Sequence, residues 1–177
     1  MVRAFSSALL GAFGHDPAIG IHDFHGDVEF DPDAVANARL RMSVAPHSLQ
    51  VLDDISESDR AEIERRMYYE VLEVNRFPEI AYSCSRVSAN SGGSGRYWVA
   101  LNGDLSLHGV KRNHLVSVRL LLSGENLRAS GEFVLRQKDY EIRPTTMAGG
   151  VVSIKDELKF SFDVVARKDA SSGEGSE

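Results

Sequence analysis

The chain has 177 residues, of which 42% are hydrophobic and 26% charged, and its net charge at pH 7 is −6. A chain of this length buries about 70% of the surface that its unfolded form exposes, which is enough for one core without disulfides or metals. No run of Lys and Arg exceeds two residues. Nucleic acids and anionic membrane surfaces both require a clustered basic face, so the sequence argues against either partner.

Apolar and polar residues alternate through most of the chain, which is typical of half-buried β-strands. The alternation is clear in 24–30, 39–44, 97–107, 127–136 and 157–167, and the segments 2–13, 79–88 and 112–122 are β-rich but less regular. Turn-forming residues separate the later strands, including a glycine-rich stretch at 90–95 that predicts a flexible hairpin loop. The pattern predicts about eight strands.

One segment, residues 57–75, has helical periodicity instead. Its apolar face carries Ile63, Met67, Val71 and Val74. Ser56, or Ser58 after it, is placed to cap the first turn, and Pro78 marks the end because the residue before a proline avoids the helical conformation. We therefore predict one amphipathic helix of about four turns among the strands.

Two all-β architectures suit these elements, an up-and-down barrel and a sandwich. A single amphipathic helix is able to cover one opening of a barrel and close its interior against water. An eight-stranded barrel is just wide enough to hold one small ligand. The sequence therefore favours an eight-stranded antiparallel, lipocalin-like barrel capped at one end by the helix.

The predicted domain spans residues 1–168, and the small, acidic segment 169–177 is expected to be disordered. No stretch reaches the roughly 20 apolar residues of a transmembrane helix, so stable membrane insertion is not expected. The first 14 residues are interpreted as a strand because they are too short and too polar for a secretory signal. A cytoplasmic location is expected, and the alternative is a periplasmic protein whose signal peptide has been removed.

Three segments together resemble the YceI-like family. LNGDLSLHGVKR at 101–112 is similar to its strand–turn signature, FPEIAYS at 77–83 to its helix-to-strand junction, and SGEFVLRQKDYEI at 130–142 to its late strand. Their order and spacing fit over residues 2–167. The sequence departs from the family at Glu141, where glycine is common, and at Asn113–His114, where a proline often follows the turn.

The resemblance implies an extended lipocalin-like barrel that binds polyisoprenoid lipids, such as isoprenoid quinones or prenyl phosphates, inside a tunnel. It also implies a possible homodimer. The function expected on this basis is non-catalytic binding, transport or storage of a long-chain isoprenoid lipid.

A lipid-carrying barrel needs an apolar lumen and a polar group near one mouth. The candidates for the lumen are Leu40, Met42, Val44, Tyr82, Val99, Leu101, Leu105, Phe133, Leu135, Phe160 and Phe162. The pattern alone suits a solid core equally well, since core and cavity positions alternate in the same way. Gly26, Gly103 and Gly131 fall on the apolar faces, where missing side chains would leave room; the alternative is that a glycine in a strand marks a bend.

The basic residues nearest the family-like segments are candidates for contact with a lipid headgroup. They are Arg112, Arg136, Lys138 and Arg143. The alternative for each is a solvated cation on the outer face of a strand.

The sequence favours neither metal nor enzyme chemistry. The six histidines lack the spacing of a metal site, and no cofactor is implied. No nucleophile elbow, phosphate loop or dinucleotide fingerprint is present. The alternative to lipid binding is a solidly packed barrel that acts as an interaction module, with Trp98 and Val134 as outward apolar contacts.

Overall fold

The computed structural model describes the backbone of residues 3–7 and all atoms of residues 18–143 and 156–168. Ten antiparallel strands form one sheet in this part of the chain. They are β1 (Arg3–Ser7), β2 (Ala18–Ile21), β3 (Phe24–Glu29), β4 (Arg39–Val44), β5 (Leu49–Val51), β6 (Ile80–Gly93), β7 (Arg96–Leu107), β8 (Val110–Ser123), β9 (Asn126–Arg136) and β10 (Glu157–Arg167). The predicted acidic tail, 169–177, lies outside the described residues.

The sheet has the order β3-β4-β6-β7-β8-β9-β10-β1-β2-β5, so the β3–β4 pair forms one edge and the β2–β5 pair the other. Only residues 22–23 separate β2 from β3, and only 45–48 separate β4 from β5. The two pairs are therefore two halves of one bent hairpin, and the sheet must curl until its edges meet there. Counted with each bent strand as one, the barrel has eight strands, which confirms the predicted all-β, lipocalin-like architecture.

Hydrogen bonds hold the bend of this hairpin together. The Ala45 N–H donates to the Asp23 carbonyl (3.0 Å), and the Asp23 N–H donates to Ser48 Oγ (3.0 Å). Where the strands break, these backbone groups lose their partners in the sheet. The two bonds replace those partners, so the bend does not leave these groups without a hydrogen bond.

The later strands follow one another through tight turns. His108 (φ 52°) and Gly109 (φ 76°) both adopt positive φ, the conformation that two-residue hairpins need. The flexible loop predicted at 90–95 is wrong in extent, because β6 continues to Gly93 and β7 begins at Arg96. Positive φ at Gly93, Ser94 and Gly95 turns the chain within two residues, so the flanking residues remain paired.

The predicted helix begins where expected and ends early. The Ser56 hydroxyl accepts a hydrogen bond from the Asp59 N–H (3.1 Å), and α1 (Glu57–Arg66) continues into a π-helical turn, Met67–Val71. The helix ends near Leu72 rather than at residue 75, since Glu73 has a φ of 45° that a helix cannot continue through.

The apolar face of the helical segment covers one end of the barrel. Ile63, Met67 and Val71 are each at most 5% exposed and belong to the same core as Leu105 and Tyr140. Polar contacts fix the helix at this position. Glu64 Oε1 accepts from the Val51 N–H (2.9 Å), and the His108 ring bonds to Glu73 Oε2 (2.8 Å) and to the Tyr140 carbonyl (3.2 Å).

Truncating this face should destabilise the whole barrel. Met67 is 1% exposed, so Met67→Ala leaves a cavity in the packed end and should lower the free energy of unfolding by about 2–5 kcal/mol. Tyr69, on the same turn, is 54% exposed, and Tyr69→Ala should change it by less than about 0.5 kcal/mol. Urea unfolding followed by circular dichroism measures both values. Equal effects would mean that the helix is not part of the barrel core.

Candidate functional site

The barrel encloses a cavity of about 380 Å³. This volume lies within the range of roughly 300–1,000 Å³ that is typical of small-molecule sites. Strands β2 to β10 all contribute side chains to its wall, and nearly all of these are apolar. The alternation of the strands alone also allowed a solidly packed core. The structure shows a hollow barrel instead.

The eleven residues proposed for the lumen all line this cavity. They are Leu40, Met42, Val44, Tyr82, Val99, Leu101, Leu105, Phe133, Leu135, Phe160 and Phe162. Their inward direction follows from the two-residue period of the strands. Contact between these side chains and a ligand stays a prediction.

The sequence did not single out the contribution of β8. Val116, Val118 and Leu120 lie on the inward face of this strand and line the cavity. The outward face of the same strand carries Leu115 and Leu121, which are also apolar, so alternation in this segment was blurred. The apolar residues at every second position, Val116, Val118 and Leu120, were the signal that could have identified the inward face.

The cavity runs along the barrel from the helix to the opposite end. Val71 and Leu72 line it at the helix end, and Phe30 and Ala38 line it at the far end. Asp27 and Arg39 contribute atoms to the lining, but both residues are exposed and alternate with the inward residues of their strands, so their charged groups point away from the cavity.

The three glycines on the inward faces do not leave open space, which corrects the prediction that they would. A Cβ atom at Gly103 would lie 2.7 Å from Tyr82 Oη, and one at Gly131 would lie 2.7 Å from Phe162 Cζ. A Cβ at Gly26 would collide with the sulfur of Met42. Each glycine therefore accommodates a large side chain of a neighbouring strand, which lies flat over it and helps to shape the cavity wall.

Tyr82 places a hydroxyl group in the wall. Its Oη lies 3.1 Å from the carbonyl oxygens of both Leu101 and His114 and is positioned to donate to them. Burial raises the pKa of this phenol above its ordinary value of 10. Tyr82 therefore remains neutral, and its hydrogen bond satisfies backbone groups in the wall.

The barrel wall has a gap between β8 and β9. The two strands pair only from Ser117/Glu132 to Ser123/Asn126, so residues 110–116 and 133–136 diverge toward the helix end. A pocket of about 300 Å³ lies in this gap. Among the described residues it is lined by Arg112, Asn113, His114, Val134, Leu135, Arg136, Asp139, Tyr140 and Glu157. His114 and Leu135 also line the main cavity, so the two spaces meet at these side chains.

His114 is the polar side chain at that junction. Its ring packs edge-on against Phe133, with centroids 5.3 Å apart, and Phe133 stacks on Phe160 at 4.9 Å. The Nε2 atom of His114 is buried and has no hydrogen-bond partner among the described residues. Burial lowers the pKa of this imidazole below its ordinary value of 6.5, so His114 is neutral at pH 7.

None of the four predicted headgroup residues lines the main cavity, and two of them line the gap pocket. Arg112 lies in the gap pocket and donates through Nε to the Asp139 carbonyl, and Arg136 also lies there. Lys138 and Arg143 are exposed elsewhere. Contact with a headgroup stays a prediction for all four residues. In the ranges that the structure describes, no three His, Cys, Asp or Glu side chains are grouped to hold a metal ion.

The half-buried His114 should make the stability of the barrel sensitive to pH. Below pH 6.5 the unfolded chain binds a proton at this residue that the folded chain resists. The free energy of unfolding should therefore fall as the pH drops from 6.5 toward the lower pKa of the folded state. His114→Gln does not titrate and should lose less stability over this range.

Chemical unfolding of both proteins at pH values from 7 to 5 measures this difference. The charged neighbours in the gap pocket, Arg112, Arg136, Asp139 and Glu157, are common to both proteins, so the comparison isolates residue 114. Parallel stability curves would contradict the burial of a neutral imidazole.

Comparisons with known proteins agree with this architecture. A model of the YceI-like domain matches residues 6–166. The crystal structure of BcnA from Burkholderia cenocepacia superposes with a TM-score of 0.74 at 16% identity, over 93% of this chain and 96% of that chain. A YceI protein from Campylobacter jejuni gives a TM-score of 0.64 at 12% identity, over 85% and 84% of the two chains.

A third solved structure is described as a polyisoprenoid binding domain from Saccharophagus degradans, implicated in plant cell wall breakdown. It superposes with a TM-score of 0.64 at 11% identity, over 95% of this chain and 93% of that chain. The comparison with curated proteins finds no match. The family model covers most of the sequence and the solved structures share its fold, so this chain belongs to the YceI-like family.

Proposed function

We propose that this protein binds a long-chain isoprenoid lipid in the barrel cavity and carries or stores it without chemical change. The observation that carries the proposal is the enclosed apolar cavity that runs from the helix to the far end of the barrel. Membership of the YceI-like family and the polyisoprenoid-binding description of the Saccharophagus degradans domain support the same ligand class.

The wall of the cavity suits a chain of hydrocarbon units. Burial of apolar surface contributes about 25 cal/mol per Å² and needs no directional contacts, so a long prenyl chain gains affinity along its whole length. Aliphatic and aromatic side chains form nearly all of the wall. This chemistry holds the chain, and selection among ligands has to come from the polar groups at its ends.

A non-catalytic role is supported by the polar groups that reach the cavity. In the part of the chain that the structure describes, the polar lining residues that are not exposed are Tyr82, His114 and Gln137. The Tyr82 hydroxyl is engaged with backbone carbonyls, and the charged lining residues Asp27 and Arg39 are exposed on the outer face. General acid–base catalysis needs groups within hydrogen-bond reach of one reacting atom, an arrangement different from this one.

The alternative of a solid barrel that serves as an interaction module is disfavoured by the cavity, although Trp98 and Val134 are exposed as that hypothesis expects. None of the helices in the described ranges has the length and apolar character needed to span a bilayer. Dimerisation and a cytoplasmic location stay predictions.

Lipid extraction tests the proposal directly. The natively purified protein, extracted with organic solvent and analysed by mass spectrometry, should release an isoprenoid lipid. The delipidated protein should take up a short-chain ubiquinone or geranylgeranyl phosphate. An empty extract together with no uptake of either compound would overturn the proposal.

Filling the cavity should abolish uptake. Val118 is 4% exposed and lines the cavity, whereas Ser117 precedes it and is exposed on the outer face. Val118→Phe adds bulk to the lumen and should weaken lipid binding at least about tenfold, and Ser117→Phe should leave it nearly unchanged. Binding is measured by titration after circular dichroism has shown that both variants fold. Equal affinity of the two variants would place the ligand outside the barrel.

A further inference from the structure

The gap between β8 and β9 has the architecture of a side entrance to the lumen. In an antiparallel barrel each strand is paired along its length, and here the ladder stops at Ser117 and Glu132 while both strands continue toward the helix. The pocket in the gap shares His114 and Leu135 with the main cavity. A ligand in the lumen therefore has access to the gap past these two side chains.

Exposed apolar side chains lie on both of the strands that border the gap. Extending the register of Ser117 and Glu132 by two residues places Leu115 opposite Val134. Leu115 is 59% exposed and Val134 is 43% exposed. These two side chains flank the opening that leads to the cavity and make its rim apolar.

At the inner end of the gap, His114 Nε2 is a buried hydrogen-bonding atom that has no partner in the part of the chain that the structure describes. A buried nitrogen that lacks a hydrogen bond is unfavourable. An oxygen atom of a bound molecule would relieve this cost. The aromatic rings of Phe133 and Phe160 beside it provide a flat apolar surface for the same molecule.

The charges around the gap favour a neutral partner. The described lining carries two arginines, Arg112 and Arg136, and two carboxylates, Asp139 and Glu157, so its formal charge is balanced. Arg136 is the register partner of Glu157, and Arg112 already donates to the Asp139 carbonyl. A phosphate or diphosphate would require excess positive charge to offset its desolvation, which this balanced set does not supply.

We propose that the β8–β9 gap is the headgroup site of the cavity, and that His114 Nε2 forms a hydrogen bond with a neutral oxygen-bearing head, such as a quinone carbonyl or a phenol hydroxyl. This inference rests on the proposed function, because the prenyl chain attached to that head lies in the main cavity. The neutral state of the half-buried His114 fits the same ligand, since an uncharged imidazole either donates to a carbonyl or accepts from a hydroxyl.

Three probes separate the headgroup from the chain. A short-chain ubiquinone carries a neutral oxygen head, squalene is an isoprenoid hydrocarbon with no head, and geranylgeranyl phosphate carries an anionic head. The delipidated protein should bind the quinone most tightly of the three. His114→Phe keeps an aromatic ring against Phe133 and removes the hydrogen bond, so it should weaken quinone binding about tenfold and leave squalene binding unchanged.

Two further measurements distinguish a headgroup contact from a structural effect. His114→Gln retains a polar nitrogen at the same reach and should restore most of the quinone affinity. In the unmodified protein, the NMR signals of the His114 ring nitrogens should shift on addition of quinone and not on addition of squalene. Thermal unfolding of both variants establishes that they fold.

Each negative result has a separate meaning. Failure of all three probes to bind would overturn the proposed function itself. Equal effects of His114→Phe on quinone and squalene, or none on either, would overturn the headgroup site and leave lipid binding intact. Tighter binding of geranylgeranyl phosphate than of the quinone would overturn the neutral head.

Discussion

Every second side chain of strands β2 to β10 points into one space, because these strands belong to a sheet whose two edges meet at a bent hairpin. The inward side chains do not fill that space, and a cavity of about 380 Å³ remains between them. The helix then completes the enclosure, since its apolar face packs into the same core as the ends of β5 and β7. The cavity, its apolar wall and its closed end all follow from the curled, closed sheet.

The polar features of the molecule lie where that regular structure is interrupted. The bend of the hairpin is held by Asp23 and Ser48, and the end of the helix is joined to the β7–β8 turn through Glu73 and His108. The largest interruption is the divergence of β8 and β9, where His114 contributes to a mostly apolar wall a nitrogen that has no partner within the described ranges. A binding site for an amphiphile needs both kinds of surface, and the gap brings them together.

Much of the barrel could be predicted from the sequence, because alternation reports directly which face of a strand is buried. The inward set and the helix cap at Ser56 follow from local residue patterns. The short strands β2 and β5 were missed since four and three residues give too little alternation to recognise. The early end of the helix depends on Glu73, whose left-handed conformation has no signature in the residue type.

The candidate site was less predictable than the fold. Core and cavity positions alternate identically, so the sequence alone could not establish that the barrel is hollow. The gap depends on where the β8–β9 ladder stops, which is a property of the assembled sheet rather than of either strand. For the same reason His114 could be assigned to the inward face only once the register of β8 was known. Glu141 adopts a φ of 57°, so the chain makes a left-handed turn here at a residue that is not glycine.

A crystal structure of the natively purified protein tests the central claim most directly. The account predicts elongated electron density in the lumen, extending along the wall from Val71 and Leu72 at the helix end toward Phe30, with its polar end within hydrogen-bond distance of His114 Nε2. A lumen filled by its own collapsed side chains, or one that contains only ordered water, would contradict the claim that the barrel is built to hold a lipid.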